Sequence, residues 1–268
     1  MDDTTPLTPP IDHGERFCEQ TEIAKVRRQI DLVANGDKKL VFLLLSGSFN
    51  PIHTQHVQAL LLTRKYLERI GWNVVGGFLA PSSDVHVQEK LGPESLLLTE
   101  RIALCRLAVE GLDWVSVCVK GELSSKWACR GVRDELEHGC VDILQGRPLT
   151  GVELMGSDTV VRIFDKILME HRNQEGTSTQ RGRTICCLLR AGPERAAQEK
   201  YIETVLVPGV SELGVELIIL KPTVFDPPLE QVSSSAIREL VSRGEWEVLR
   251  SKGWLPPGVL KALQMRVR

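Results

Sequence analysis

The chain has 268 residues, of which 42% are hydrophobic and 25% are charged, and its formal net charge at pH 7 is -2. Such a composition is typical of a globular protein with one large α/β domain or two small ones. A net charge this small creates no field that would attract nucleic acid, and no apolar run approaches the ~18 residues of a membrane span, so we expect neither a nucleic-acid nor a membrane partner.

The N-terminal segment is acidic and rich in proline and threonine, without the basic start and apolar stretch of a signal peptide. We therefore predict a flexible tail over residues 1–20, a single domain over residues 21–268, and a cytoplasmic location. The seven cysteines include no CxxC pair and are expected to be reduced thiols. The adjacent Cys186 and Cys187 fit two strand residues on opposite faces of a sheet, with a redox pair as the alternative.

Strand-like and helix-like segments alternate along the chain. Short runs rich in Val, Ile and Leu predict strands at residues 40–47, 73–80, 114–120, 151–157, 184–190 and 214–220. Apolar residues at three-and-four spacing predict helices at residues 57–70, 93–110, 125–138, 159–169 and 193–205, and two more are predicted in "SSSAIRELVSRGEWEVL" and "PPGVLKALQMR". This alternation predicts a Rossmann-like, doubly wound and mostly parallel sheet, with helices on both faces and a C-terminal helical segment.

The segment "GSFNPIHTQH" joins the first predicted strand to the following helix. Gly47 lets the backbone turn and approach a ligand, and Pro51 fits the start of the helix. His53 and His56 share one face of its first turn, where unpaired N–H groups and the positive end of the helix dipole form an anion site. The junction therefore predicts phosphate binding, with core histidines or a metal-binding pair as alternatives.

A second polar helix start lies near the C-terminus, in "VSSSAIREL". The hydroxyl and N–H groups of Ser233, Ser234 and Ser235 can hold a triphosphate, and Arg238 projects from the same face. The alternative is a simple N-cap followed by a surface arginine. The glycine pattern of the chain is neither GxGxxG nor a Walker A loop, which disfavours a dinucleotide dehydrogenase or a P-loop enzyme.

"GSFNPIHTQH" resembles the GxFxPxHxxH signature of the nucleotidyltransferase superfamily. Beyond the tail, the chain resembles the eukaryotic nicotinamide/nicotinate mononucleotide adenylyltransferases along nearly its whole length. The segments that carry this resemblance are "GSFNPI", "GGFLAPSSDVHVQEKLG", "DWVSVCVKGELSSKW", "LMGSD", "LLRAG" and "VSSSAIREL". The resemblance implies transfer of the adenylyl group of ATP to nicotinamide or nicotinate mononucleotide, which gives NAD or its deamido form and pyrophosphate.

The resemblance also implies the residues of the site. The catalytic residues are His56, His53 and Arg238. The residues implied to bind ATP are Gly47, Ser48, Phe49, His53, His56, Gly156, Asp158, Ser233, Ser234, Ser235 and Arg238. The residues expected to bind the mononucleotide are Ser48, Phe49, Lys90, Trp127 and Arg130, of which Arg130 is expected from its helix spacing to Trp127 and not from the resemblance. Mg²⁺ is expected to bind through the ATP phosphates, with no metal ligand from the protein.

The chain departs from the family pattern at several of these positions. The family's lysine pair in the substrate loop reads Gln88 and Glu89 here, and Lys90 is expected to take that role after a one-residue shift. A second stacking tryptophan is absent, with Met169 or His171 nearest to its place. Arg130 stands where the family tends to have a small polar residue. On a helix it shares a face with Trp127, so we expect it to support a nicotinate carboxylate in an enzyme that uses both acceptors within about tenfold.

Other readings stay open at the level of sequence. Trp127 would stack on the pyridine ring or pack in the core, Asp158 would reach a ribose hydroxyl or cap a helix, and Arg130 would face the acceptor or solvent. The alternative functions for the whole chain are another adenylyl- or cytidylyltransferase of the superfamily, an aminoacyl-tRNA ligase, and a non-catalytic nucleotide-binding or chaperone-like module. The oligomeric state is also open, with a homo-oligomer among the alternatives.

Overall fold

A computed structural model describes residues 16–33, 38–122, 124–172, 180–189, 195–221 and 232–267. Its centre is a six-stranded sheet in the order β3-β2-β1-β4-β5-β6, and every neighbouring pair is parallel. The strands are β1 (Leu40–Gly47), β2 (Asn73–Pro81), β3 (Val115–Val117), β4 (Leu149–Gly156), β5 (Thr184–Leu188) and β6 (Glu216–Leu220). The predicted Rossmann-like parallel sheet is confirmed. Its strand order reverses between β1 and β4, and their carboxyl ends open the crevice where ligands bind in such sheets.

Helices cover both faces of this sheet. In chain order they are α1 (Gln20–Leu32), α2 (Thr54–Arg69), α3 (Asp84–Leu91), α4 (Leu98–Ala108), α5 (Ser125–Gly139), α6 (Val141–Leu144), α7 (Ser157–Arg172), α8 (Arg195–Tyr201), α9 (Val207–Glu212), α10 (Ser234–Ser242), α11 (Trp246–Lys252) and α12 (Pro257–Val267). None of the helices in the described ranges is both long and apolar enough to cross a bilayer.

The side chains of β1 alternate between two hydrophobic clusters. Val41, Leu43 and Leu45 belong to one cluster, whereas Phe42 and Leu44 belong to the other. Both sets are almost fully buried. A strand that is covered on both faces reads as a continuous apolar run, which is why the run at 40–47 is recognisable in the sequence.

The cysteines follow the same geometry. All seven are free and buried. Cys186 packs in the cluster that contains Val41, and Cys187 packs in a third cluster on the other side of β5. Burial raises the pKa of the Cys187 thiol to about 12. The prediction of two buried strand residues on opposite faces is confirmed.

Several elements differ from the predicted ones, among them α1, α3 and the pair α10 and α11. Helix α1 was not predicted, because Val26 and Ile30 are its only buried apolar residues. Helix α3 forms within the predicted substrate loop, and the segment expected to be one helix after residue 233 divides into α10 and α11 around Gly244, whose φ is 69°.

The predicted tail extends too far into the chain. Phe17 and Cys18 are buried, and their backbone N–H groups donate to the Glu135 carboxylate at 2.7 and 2.9 Å. Packing against α5 therefore begins before residue 20. Residues 1–15 of the predicted tail, and residues 190–194 with most of "LLRAG", lie outside the described residues. The single domain over residues 21–268 stays a prediction.

Candidate functional site

A cavity of about 760 Å³ lies at the carboxyl ends of β1 and β4. Its walls come from the loops after β1 and β2, from the end of β4, from α3 and α7, and from the starts of α2, α5 and α10. Twelve of the predicted site residues line it: Gly47, Ser48, Phe49, His53, His56, Lys90, Trp127, Gly156, Ser233, Ser234, Ser235 and Arg238. Asp158 and Arg130 do not. The fold thus brings the two separate phosphate-binding motifs of the sequence into one cleft.

The loop after β1 packs on itself through an aromatic ring. Phe49 has a φ of 45° and is 2% exposed. A Cβ on Gly47 would lie 3.2 Å from the Phe49 ring, a tight contact, so a glycine at this position lets the ring pack closely against the loop backbone. The Phe49 ring meets the His56 ring edge to face, with 5.0 Å between the ring centroids. The loop therefore fixes one side of the His56 imidazole.

The two histidines form a stacked pair at the start of α2. Their ring centroids are 3.7 Å apart, and the ring planes differ by 25°. The backbone N–H of His53 donates to Nδ1 of His56 at 3.2 Å. An accepting Nδ1 carries no proton, so the proton of the neutral ring lies on Nε2, which is then a hydrogen-bond donor. This arrangement suits His56 for contact with a phosphate oxygen.

A histidine-bound metal has little support in this geometry. Among the described residues, no group of three or more His, Cys, Asp and Glu side chains could hold an ion. His53 is 4% exposed and also lines the cavity, so it combines the buried position of a core histidine with access to a ligand.

The first turn of α2 has fewer unpaired backbone N–H groups than its sequence predicts. The backbone N–H and the hydroxyl of Thr54 both donate to the Trp254 carbonyl, at 2.9 and 3.1 Å. These bonds anchor the helix start to the segment between α11 and α12. The expectation that the N–H groups of this turn are unpaired is therefore wrong for Thr54.

The serine-rich motif begins α10 and contacts the first motif directly. The Ser233 hydroxyl accepts from the Ala236 N–H at 3.1 Å and caps the helix. The Ser234 hydroxyl donates to the Pro51 carbonyl at 3.0 Å, across 183 positions of the sequence. The N-cap alternative thus holds for Ser233, while Ser234 joins the two motifs.

Arg238 is held by three neighbours. Its guanidinium donates to the Glu94 carboxylate at 3.0 Å, to the Asn50 carbonyl at 3.0 Å and to the Ser235 hydroxyl at 3.3 Å. Its side chain is 19% exposed, whereas that of Glu94 is 66% exposed. Arg238 is therefore not a simple surface arginine, and its carboxylate partner lies where solvent or a ligand can compete with it.

Sequence reasoning missed a fully buried arginine behind the loops. Arg101, on α4, is 0% exposed. Its guanidinium donates to the carbonyls of Leu96 at 3.0 Å, Ser48 at 3.1 Å and Ser82 at 2.7 Å, and to the Asp84 carboxylate at 2.8 Å. Ser48 and Ser82 follow the ends of β1 and β2, so one side chain ties together two loops that line the cavity. Its position within the pattern "LLLTERIALCRLA" gives no local signal of this role.

The residues expected near the acceptor are only partly brought together. Trp127 is 53% exposed and lines the cavity, so the core-packing alternative is wrong. Arg130 faces Asp134 at 3.7 Å. Asp158 lies in the first turn of α7, where its carboxylate accepts from the Gln198 amide at 3.0 Å.

The charge of the cavity lining is one-sided. Among the described residues that line it, there are five lysines and arginines, three histidines and no aspartate or glutamate. The cationic residues are Lys90, Lys126, Arg162, Arg183 and Arg238, and the third histidine is His86. The chain as a whole has a net charge of -2, so this concentration of positive charge is local. Such a lining suits a ligand with several negative charges.

Three of these cations were not predicted from the sequence. Lys126, Arg162 and Arg183 lie on α5, on α7 and just before β5, and no motif connects them. Arg183 donates to both oxygens of the buried Glu153 carboxylate, at 2.7 and 2.8 Å. Desolvation, followed by the nearby charge of Arg183, lowers the pKa of Lys126.

Comparison with known proteins gives matches to part of the chain, and the matched proteins reported below have the same family name. No family model matches the chain. The chain is 37% identical over 87 residues to nicotinamide/nicotinic acid mononucleotide adenylyltransferase 2 of Xenopus tropicalis, which covers 32% of this chain and 27% of the relative. It is 28% identical over 121 residues to nicotinamide/nicotinic acid mononucleotide adenylyltransferase 1 of Bos taurus. This alignment covers 43% of this chain and 42% of the relative. A rice protein of this name, from Oryza sativa subsp. japonica, is 33% identical over 82 residues, covering 31% of each chain.

The aligned part spans less than half the length of each of these relatives. The relatives come from animals and a plant and share one printed name. The resemblance to this family that the sequence motifs indicate is confirmed.

Proposed function

We propose that this chain, a relative of the nicotinamide/nicotinic acid mononucleotide adenylyltransferases, transfers the adenylyl group of ATP to nicotinamide or nicotinate mononucleotide and releases pyrophosphate. The observation that carries the proposal is the cleft between β1 and β4, whose described lining combines five lysines and arginines with three histidines and no carboxylate. ATP and a mononucleotide phosphate together bring several negative charges to such a cleft.

The reaction is an in-line displacement at the α-phosphorus of ATP. A phosphate oxygen of the mononucleotide forms the new P–O bond, and the bond to the β,γ-pyrophosphate breaks, so pyrophosphate leaves with the electron pair. A phosphomonoester has a second pKa of about 6 and is already largely dianionic at pH 7. The protein therefore needs no general base, and its contribution is positioning and charge stabilisation.

The ATP roles follow the two motifs. His56 would donate from Nε2 to the α-phosphate and its transition state, and His53 would contact the ATP phosphates. Arg238, with the hydroxyls of Ser234 and Ser235, would hold the β- and γ-phosphates. The backbone at Gly47, Ser48, Phe49 and Gly156 would border the nucleotide, since these residues also line the cleft.

A magnesium ion fits this site through the nucleotide. Because the described lining has no carboxylate, ATP phosphates and water would hold Mg²⁺, which commonly keeps several waters. Bound there, the ion would neutralise charge on the phosphates.

The mononucleotide would lie against Trp127, with Lys90 near its phosphate and with Ser48 and Phe49 beside it. The proposed contacts of Asp158 with a ribose and of Arg130 with the acceptor have less support, because neither residue lines the cleft. The seven buried, free thiols support a reducing compartment and so a cytoplasmic location.

The function is tested by incubating the purified chain with Mg-ATP and each mononucleotide, and by measuring both pyrophosphate and the dinucleotide. We expect stoichiometric amounts of the two products with at least one acceptor, and neither product without an acceptor. Parallel reactions with CTP, and with phosphopantetheine as acceptor, distinguish other transferases of the superfamily. Binding of ATP without product from any acceptor would contradict the proposal and favour a non-catalytic nucleotide-binding module.

Replacing Arg238 with lysine is expected to raise KM for ATP at least tenfold. The substitution keeps the positive charge but loses the planar fork that binds two oxygens at once, and a hydrogen bond to a charged group contributes about 1.5–3 kcal/mol. Steady-state kinetics with varied ATP measure the effect, and Arg243→Lys, at the exposed arginine that directly follows the end of α10, is the matched control. If Arg238→Lys uses ATP as well as the parent does, the two-point grip on the triphosphate is wrong.

Replacing Glu94 with glutamine is expected to lower KM for ATP. The Glu94 carboxylate pairs with the Arg238 guanidinium at 3.0 Å, so the triphosphate must displace this carboxylate. A glutamine amide would compete less strongly with the triphosphate for Arg238. Because Glu94 is largely exposed, KM for ATP should fall about two- to fivefold, which corresponds to the free energy of an exposed ion pair. A KM that is unchanged or higher would contradict this competition. Glu239→Gln, at an exposed carboxylate of α10 that pairs with Arg243, serves as the control.

A further inference from the structure

One wall of the cleft has a cationic group that the triphosphate roles do not use. Lys126 lies in the first turn of α5, next to Trp127, with its ammonium 5.6 Å from the centroid of the Trp127 ring. Both residues line the cavity. The strongest electrostatic influences on Lys126 come from Arg183, Glu153 and Arg130. Arg238 contacts a different set of residues around Glu94 and Asn50, so the two cations lie in different surroundings within the cleft.

A second cation of this wall, Arg183, is held rigidly by a buried carboxylate. Arg183 binds Glu153 through two hydrogen bonds and also donates to the Gln180 side chain at 2.6 Å. The side chains of Arg183 and Glu153 are only 10% and 2% exposed. A buried pair with this geometry holds its position, so Arg183, which lines the cavity, is a fixed cation of this wall.

The surroundings of Lys126 favour an anionic ligand group. Desolvation acts against its charged form first, and the positive charge of Arg183 adds to this effect, so its pKa is lowered. An anion placed beside the ammonium would offset both effects, whereas a neutral group would offset them much less. The Trp127 ring beside it presents a flat apolar face on which an aromatic ring can stack.

We propose that Lys126 recognises the substituent on the acceptor's pyridine ring, and that the chain therefore prefers the carboxylate of nicotinate mononucleotide to the amide of nicotinamide mononucleotide. This inference rests on the proposed function and deepens it by naming the acceptor class. It assigns to Lys126 the role that the sequence suggests for Arg130. A ring stacked on Trp127 presents the same face in both acceptors, so only a group at its edge can distinguish them.

The test compares kcat/KM for both acceptors in the parent, in Lys126→Met and in Arg130→Met. Methionine keeps most of the length of the side chain and removes the charge. For Lys126→Met we expect at least a tenfold loss with nicotinate mononucleotide and a change of less than about threefold with the amide, since a hydrogen bond to a charged group is stronger than one between neutral groups. Arg130→Met tests the competing assignment of this role to Arg130. Arg133→Met, measured alongside, is the matched control from the same helix, because Arg133 pairs with Asp134 and does not line the cavity, and it should change both values by less than about twofold.

Different outcomes separate the two proposals. An equal loss with both acceptors in Lys126→Met, or a parent that prefers the amide, overturns the recognition of the carboxylate but leaves adenylyl transfer intact. A loss confined to the acid in Arg130→Met overturns it in favour of Arg130. Absence of product from either acceptor in the parent overturns the proposed function itself. Both positions are at least partly exposed, so thermal unfolding of the variants should match that of the parent and exclude misfolding as the cause.

Discussion

Replacing His56 with alanine is expected to lower kcat about 10²–10³-fold, the scale of losing one preorganised donor to a developing charge. The Nδ1 atom of His56 accepts from the His53 backbone, so Nε2 is the donor that the variant would lack. The Phe49 ring and the stacked His53 ring hold the imidazole in place before substrate binds. The fold should be kept, because His56 lies on the cleft side of the first turn of α2.

The measurement is the single-turnover rate at saturating Mg-ATP and acceptor. His86→Ala is the control, since His86 also lines the cleft but lies outside the motif, and it should keep the rate within about threefold of the parent. Near-normal turnover by His56→Ala would remove His56 from a catalytic role. A comparable loss in His86→Ala would show that removal of any imidazole from the cleft lowers the rate.

Replacing Arg101 with methionine is expected to destabilise the fold by about 3–5 kcal/mol, because several hydrogen-bond acceptors lose their donor at about 1–3 kcal/mol each, while the Asp84 carboxylate is 37% exposed and can be hydrated. The variant would leave the carbonyls of Ser48, Ser82 and Leu96 without their guanidinium donor. Because these bonds tie together the loops after β1 and β2, kcat/KM should also fall about 10²-fold through misplacement of the phosphate-binding backbone. Urea unfolding measures the first effect, and kinetics at a temperature where the variant is folded measure the second.

Arg106→Met provides the comparison on the same helix. Arg106 pairs with Glu19 at 2.7 Å, but both side chains are about half exposed, so its replacement should cost less than about 1 kcal/mol. Arg101→Lys should lie between the parent and Arg101→Met, because one ammonium cannot reach four acceptors. If Arg101→Met is as stable as Arg106→Met, the four hydrogen bonds do not stabilise the fold. If Arg101→Met is unstable but fully active when folded, Arg101 does not position the loops.

The sequence by itself determines the features that depend on neighbouring residues. The strand at β1 is recognisable because a strand buried on both faces must be apolar throughout, and the run at 40–47 matches the observed bounds. The pairing of His53 with His56 is recognisable because residues three apart meet on one turn of a helix. Alternation of strands and helices then implies a parallel sheet. Helix α1 is not recognisable in the sequence because few of its side chains are both apolar and buried.

Only the tertiary structure decides which distant residues share the cleft. The strand order β3-β2-β1-β4-β5-β6 brings the loop at Pro51 against Ser234, and it brings the strand ends at Ser48 and Ser82 against the Arg101 guanidinium. The same packing places Glu94 against Arg238. It also brings Lys126 within the electrostatic influence of Arg183 and Glu153. Local spacing contains no information about these contacts, because they depend on how whole helices are placed on the sheet. The sequence thus determines the two polar helix starts, at His53 and at Ser233, whereas the packing of helices on the sheet decides how they are joined and which charges surround them.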